Sequence, residues 1–259
     1  MIFHFFTRHL KSLRGDLYGL LSLLLIYPIA LYILIVLPLS SGIIDGVQFY
    51  SNNVYIKETN YESFSVIGIW IVCSCSVSVY LSSIIIQRLA YIDNQFEIFS
   101  STPIYFYDII SSVVLSSFLF GVIELIISIM FTYFIDIVNP LLVFEGILIM
   151  INILLLVLLS SIIGIVIGLL FNSYLGMLLS NIALLLFLIF LSGTFIPKSL
   201  LVDSMQRAII FLPYSGHIES IERLYLENSL NYLPIFGTIV LSIVLYIFTI
   251  VYIGYSLRK

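Results

Sequence analysis

Charge is what this 259-residue sequence has least of: only 9% of its residues are Asp, Glu, Lys or Arg, while 61% are hydrophobic. With a mean hydropathy of +1.20, a water-soluble fold is excluded, because the chain lacks the polar surface to cover it. Its formal net charge of −4 argues against nucleic acid as a partner. The two cysteines, Cys73 and Cys75, provide neither a disulfide framework nor a zinc site. They sit i,i+2 in an apolar stretch, where a helix points them about 200° apart, so the plain reading is two small residues packed in the membrane. There is no GxxxxGK[ST] phosphate loop, HExxH or GxSxG, and His4, His9 and His217 are scattered. The chain is therefore not expected to be an enzyme, to hydrolyse ATP or to hold a metal by itself.

What remains is apolar sequence long enough to cross a bilayer about six times, at about 20 residues per crossing. The run 139–171 carries one charge, Glu145. The expected spans are about 17–39, 64–87, 108–135, 141–171, 175–195 and 234–256, which leave no room for a separate soluble domain of ~100 residues. The expectation is one all-α polytopic membrane domain over residues 1–259. The basic start is not read as a cleavable signal, because the apolar run after it is too long for one.

Three stretches interrupt the spans. Residues 1–16 alternate Phe3, Phe6, Leu10 and Leu13 with Arg8, Lys11 and Arg14, the pattern of a basic amphipathic helix at the inner membrane surface. Residues 40–63 form a polar loop. Residues 197–233 gather Lys198, Asp203, Arg207, His217, Glu219, Glu222, Arg223 and Glu227; short helices are expected over 200–212 and 217–226, separated by Pro213 and Gly216. Six spans put both termini on one side, with Arg8, Lys11, Arg14, Arg88, Arg258 and Lys259 there against Lys57, Lys198, Arg207 and Arg223 opposite. The bias favours cytoplasmic termini.

Functional candidates are few. Residues 93–103 (DNQFEIFSSTP) interleave polar residues with Phe96, Ile98 and Phe99, as a plain loop or as a short helix that docks into a groove on a soluble partner. After span five, SGTFIP (192–197) and HIESIER (217–223) suggest a broken backbone at the outer interface, either capping the bundle or forming a gate; Glu219 and Arg223 can pair at i,i+4. Glu124, near the centre of span three, must face other helices or water rather than lipid. It either bonds between helices or lines a path.

Taken in order, these pieces resemble the permease of type-2 ABC exporters, the drug, lipid and polysaccharide exporter permeases. Glu97 to Pro103 (EIFSSTP) is similar to the second half of that family's Glu-x-Gly-Thr-x-Glu-x-Leu-x-x-Thr-Pro loop, although 92–95 depart from the first half. YESFSVIG (61–68) is similar to the Tyr-x-x-Phe-x-x-x-Gly that opens span two. SGTFIP is similar to the Ser-Gly-x-x-x-Pro before the hairpin, and the run from Pro213 to Arg223 to the Asn-Pro…Glu-x-x-Arg stretch, with Leu212 in place of Asn.

The resemblance implies an N-terminal interface helix (1–16), a coupling-helix loop (88–107) and a re-entrant extracellular hairpin (197–233). It implies a cell-membrane exporter of an amphipathic substrate, built from two permease copies and two ATP-binding subunits that bind ATP and Mg. Coupling to the ATPase would then fall to Arg8, Lys11, Arg14, Asp93, Glu97, Thr102 and Pro103. Gate or path residues would be Glu124, Gly193, Pro197, Glu219, Glu222 and Arg223. The alternative is a secondary transporter or channel outside that family, against which the scarcity of intramembrane charge counts. A lipid-acting membrane enzyme would need clustered His, Asp or Glu at a membrane face, and none is seen.

Overall fold

A computed structural model describes residues 17–42, 47–51, 54–59, 61–92, 106–135, 143–196, 213–227 and 232–256. The expected interface helix at 1–16, the coupling loop over 93–105 and the segment 197–212 lie outside the described residues, and with them Arg8, Lys11, Arg14, Asp93, Glu97, Thr102, Pro103 and Pro197.

The described chain is helical apart from one hairpin. Helix α1 (Leu17–Leu31) runs through a π-helical turn, Tyr32–Val36, into α2 (Leu37–Gly42). Strands β1 (Val47–Ser51) and β2 (Val54–Thr59) follow, then α3 (Tyr61–Gln87), which ends in a second π-helical turn, Arg88–Ile92. The remaining helices are α4 (Phe106–Phe134), α5 (Val143–Leu170), α6 (Tyr174–Phe190), α7 (Pro213–Glu227) and α8 (Tyr232–Ser256).

Among the described residues four helical stretches are long and apolar enough to cross a membrane: Ser65–Tyr91, Tyr107–Phe134, Gly146–Leu170 and Leu233–Ile253. Two shorter apolar helices, Leu24–Ser40 and Tyr174–Phe190, stand where the first and fifth spans are expected. The first holds Pro28. Proline has no N–H for the carbonyl one turn back, and the π-helical turn follows it.

Two local expectations change. The polar stretch after the first helix is not a plain loop: β1 and β2 pair antiparallel from Val47↔Thr59 to Ser51↔Val54, with an irregularity between Phe49 and Tyr50. Val47, Phe49, Tyr50, Val54, Tyr55 and Ile56 supply the β-branched and aromatic residues a strand favours. Likewise, the helix expected to begin at His217 begins at Pro213, and Gly216 does not break it. Pro213 opens α7, as its fixed φ and missing N–H allow in a first turn, and Gly216 lies inside it, close against Pro234.

Helix α3 is the centre. Its membrane stretch is 83% buried, whereas that of α8 is 17% buried. Helices α1, α4, α5 and α6 surround α3, and small residues let them approach. A Cβ on Gly121 of α4 would stand 3.0 Å from the Ser74 carbonyl oxygen. On Gly168 of α5 it would stand 2.5 Å from the Ser83 carbonyl oxygen, and on Gly164 it would run into the Val79 carbonyl. This is packing by small residues at helix interfaces, where lipid supplies no hydrophobic drive for helices to associate. The serines of α3 satisfy their hydroxyls on their own helix, as Ser82 does by donating to the Ser78 carbonyl at 2.9 Å. Others reach across: Ser78 and Ser161 hydroxyls lie 2.6 Å apart, and Asn181 of α6 donates to Ser83 at 2.8 Å. The outer faces of α1, α6 and α8 carry exposed large apolar residues such as Ile26, Leu175, Phe236 and Val251, the surface a hydrocarbon solvent would cover.

Candidate functional site: polar clusters inside the bundle

Two polar clusters lie within the helical core. The first joins α7 to α5 and α8. Helix α7 turns Tyr214, His217, Ile218, Ile221 and Leu224 into the bundle, all buried, at the i, i+3, i+4, i+7 spacing of one helical face. The Tyr214 and Ser160 hydroxyls are 2.8 Å apart. His217 Nδ1 lies 3.1 Å from Asn152 Oδ1, and His217 Nε2 meets Thr238 Oγ1. Asn152 directs its amide nitrogen to the Leu148 carbonyl at 2.9 Å, so its oxygen faces the imidazole and Nδ1–H is the donor. Nε2 faces the Thr238 hydroxyl, which donates to the Pro234 carbonyl oxygen at 2.9 Å.

Beside this cluster the end of α6 unwinds. Gly193 has φ 95°, a backbone region that favours glycine. Thr194 then folds back so that its hydroxyl reaches the Leu188 carbonyl at 2.5 Å, taking up a carbonyl left open at the helix end. Tyr61, at the start of α3, donates to the Phe195 carbonyl at 2.8 Å. Gly68 lets that backbone in, since a Cβ there would stand 2.5 Å from the Thr194 carbonyl oxygen. The expected SGTFIP break is thus present over its described residues, and YESFSVIG contributes both of its ends, Tyr61 and Gly68, to holding it.

The second cluster surrounds Glu124. Its carboxylate is fully buried on α4, and neither oxygen has a hydrogen-bond partner. The buried Tyr27 hydroxyl of α1 and the Ser128 hydroxyl of α4 are likewise without one. Cys73 of α3 adjoins both Glu124 and Ser128, its thiol facing the carboxylate without meeting hydrogen-bond geometry. Tyr27 faces Cys73, Ser76 and Glu124. One turn or so from these groups, Trp70 Nε1 donates to Thr132 at 2.9 Å and ties α3 to α4.

Of the residues singled out in the sequence, Glu124 is buried in the core and Gly193 forms the break after α6. Glu219 is half-buried on α7, which also carries Glu222 and Arg223. The structure does not bring Glu124 together with α7: the α7 cluster is built on Asn152, Ser160 and Thr238, and the Glu124 cluster on α1, α3 and α4. His217, Tyr214, Asn152 and Thr238 were not among the expected site residues. Among the described residues no group of three His, Cys, Asp or Glu stands close enough to hold a metal ion. No family model, no curated protein and no solved structure matches the chain.

Proposed function

We propose that this chain is the permease subunit of an ATP-driven exporter of the type-2 ABC class, moving an amphipathic substrate out across the cell membrane while a separate subunit hydrolyses ATP. The observation that carries the reading is the depth at which α7 packs. Ser160 lies between Gly146 and Leu170 on the apolar stretch of α5, about 20 Å along the helix from Gly146 at 1.5 Å per residue. Tyr214, which meets it, therefore stands near the middle of that stretch. A helix that goes this deep just before the last long apolar helix suits a re-entrant hairpin, whose broken backbone must be covered by protein. The Gly193 break and the Tyr61 clamp support the same geometry. In this reading the two shorter apolar helices complete six crossings, both termini are cytoplasmic, and the break at Gly193, together with Pro197, Glu219, Glu222 and Arg223, forms the outer gate.

Coupling falls to residues 93–103 around Glu97, Thr102 and Pro103 and to the Arg8–Arg14 segment, which would dock on ATP-binding subunits paired with two permease copies. The test is ATP-dependent uptake of a fluorescent amphipathic lipid into inverted vesicles made from cells that express this chain together with the genes flanking its own. Uptake that Glu97→Arg abolishes while both subunits remain in the membrane supports the proposal. Uptake indifferent to ATP and to Glu97→Arg contradicts it. The second reading, a secondary transporter, is favoured by one observation, the buried carboxylate of Glu124; uptake driven by an ion gradient alone would select it.

A further inference from the structure

Four oxygens on two helices are buried together without partners: both carboxylate oxygens of Glu124, the Ser128 hydroxyl on the next turn of α4, and the Tyr27 hydroxyl of α1. Helix α3 closes the group with the Cys73 thiol, which adjoins Glu124 and Ser128, and with Ser76, which faces Tyr27. Natural cores satisfy nearly all buried polar atoms, and an isolated charge in apolar surroundings is far more costly than an unmet hydroxyl. Among the described residues no cationic side chain interacts with Glu124. The groups that interact with it from α1 and α3 are Tyr27 and Cys73, and the i+4 position of its own helix is Ser128. Within a membrane, an ionisable residue of this kind marks a site with a charged occupant or a path.

We propose that Glu124, Ser128 and Tyr27 form a binding site for one small monovalent cation between α1, α3 and α4. The oxygen donors suit a hard ion or a primary ammonium group, since both take oxygen partners. One carboxylate matches one positive charge, and among the described residues no second acidic group or histidine joins it as a divalent or transition metal would require. The neutral thiol of Cys73 packs against the site and is not needed as a donor. This inference stands on the Glu124 cluster alone and holds whether or not an ATPase is the partner.

The experiment is thermal unfolding of the full chain in detergent at fixed pH and ionic strength, with choline chloride exchanged stepwise for sodium, potassium or methylammonium chloride. The expected result is a saturable rise in midpoint with at least one small cation, because a ligand of the folded state stabilises it, and loss of that rise in Glu124→Gln. Sodium or potassium as the active ion identifies an alkali-ion site, and methylammonium alone identifies an amine site. Tyr27→Phe and Ser128→Ala each remove one oxygen and should raise the half-saturating concentration several-fold, which keeps the test decisive if Glu124→Gln does not fold. An equal response in wild type and Glu124→Gln overturns the proposal. So does a midpoint that responds to acidification alone, which would make the occupant a proton, or half-saturation unchanged in both oxygen-removing variants.

Discussion

Adding one methyl group at Gly168 tests the packing of the central helix directly. A Cβ there would stand 2.5 Å from the Ser83 carbonyl oxygen and 3.1 Å from the Ser83 Cα, and would overlap Ile86 Cγ2. Ordinary contact begins near 3.4 Å. The Ile86 methyl can turn aside, but the Ser83 backbone cannot, so α5 must withdraw from α3 by about 0.9 Å at this turn. A gap of that size forfeits about a quarter to a half of each dispersion contact it opens. The contacts at stake involve the fully buried Ile86 and Ile165.

Overpacking of this kind costs about 1–3 kcal/mol, partly offset by about 1 kcal/mol of helix propensity gained from glycine to alanine. The net expectation for Gly168→Ala is destabilisation of up to about 2 kcal/mol. Gly164→Ala should match or exceed it, since its Cβ would meet Val79 Cα at 2.9 Å and overlap the Val79 carbonyl oxygen. Gly146→Ala is the control: nothing stands within 4 Å of its Cβ, leaving propensity alone. The chain's single tryptophan, Trp70, is buried in α3 and bonded to Thr132, so its fluorescence follows unfolding of the centre during denaturation in mixed micelles. Midpoints for Gly164→Ala and Gly168→Ala equal to that of Gly146→Ala would refute the close approach of α3 and α5.

His217→Leu removes the partner of the Asn152 carbonyl and the Thr238 hydroxyl and should cost about 1–3 kcal/mol, read as a lower denaturation midpoint; an unchanged midpoint contradicts the α7 cluster. Thr132→Val leaves the buried Trp70 N–H without its acceptor and should cost about 1–3 kcal/mol, read as a lower denaturation midpoint with altered Trp70 emission. Tyr61→Phe removes the donor to the Phe195 carbonyl, and it should speed proteolysis between α6 and α7 and cost about 1 kcal/mol; unchanged cleavage would count against the clamp.

Hydropathy located the long helices because a run with one charge in thirty residues has few alternatives to crossing a bilayer. It could not locate the strands in the polar stretch after α1, where Asn and Gly residues among aromatic and β-branched ones support either loop or hairpin. Glu124 was visible as a carboxylate inside an apolar run, but its neighbours were not, since Tyr27 and Cys73 come from helices distant in sequence. In α7 the charged residues Glu219, Glu222 and Arg223 drew the sequence reading, whereas the opposite face holds Tyr214 and His217. A signal was present: Tyr214, Ile218, Ile221 and Leu224 repeat at helical spacing, and His217 lies on the same side. Its partners Asn152 and Thr238 are 65 and 21 residues away, and no local pattern announces them.

The proposed function requires that this chain associate with an ATP-hydrolysing subunit. The direct measurement is affinity purification of the tagged chain from membranes of its native cell in mild detergent, followed by identification of co-purifying subunits, their stoichiometry and an ATPase assay. The account predicts an equimolar complex that hydrolyses ATP and falls apart or loses activity with Glu97→Arg. A folded chain that purifies free of any ATP-hydrolysing subunit would contradict it.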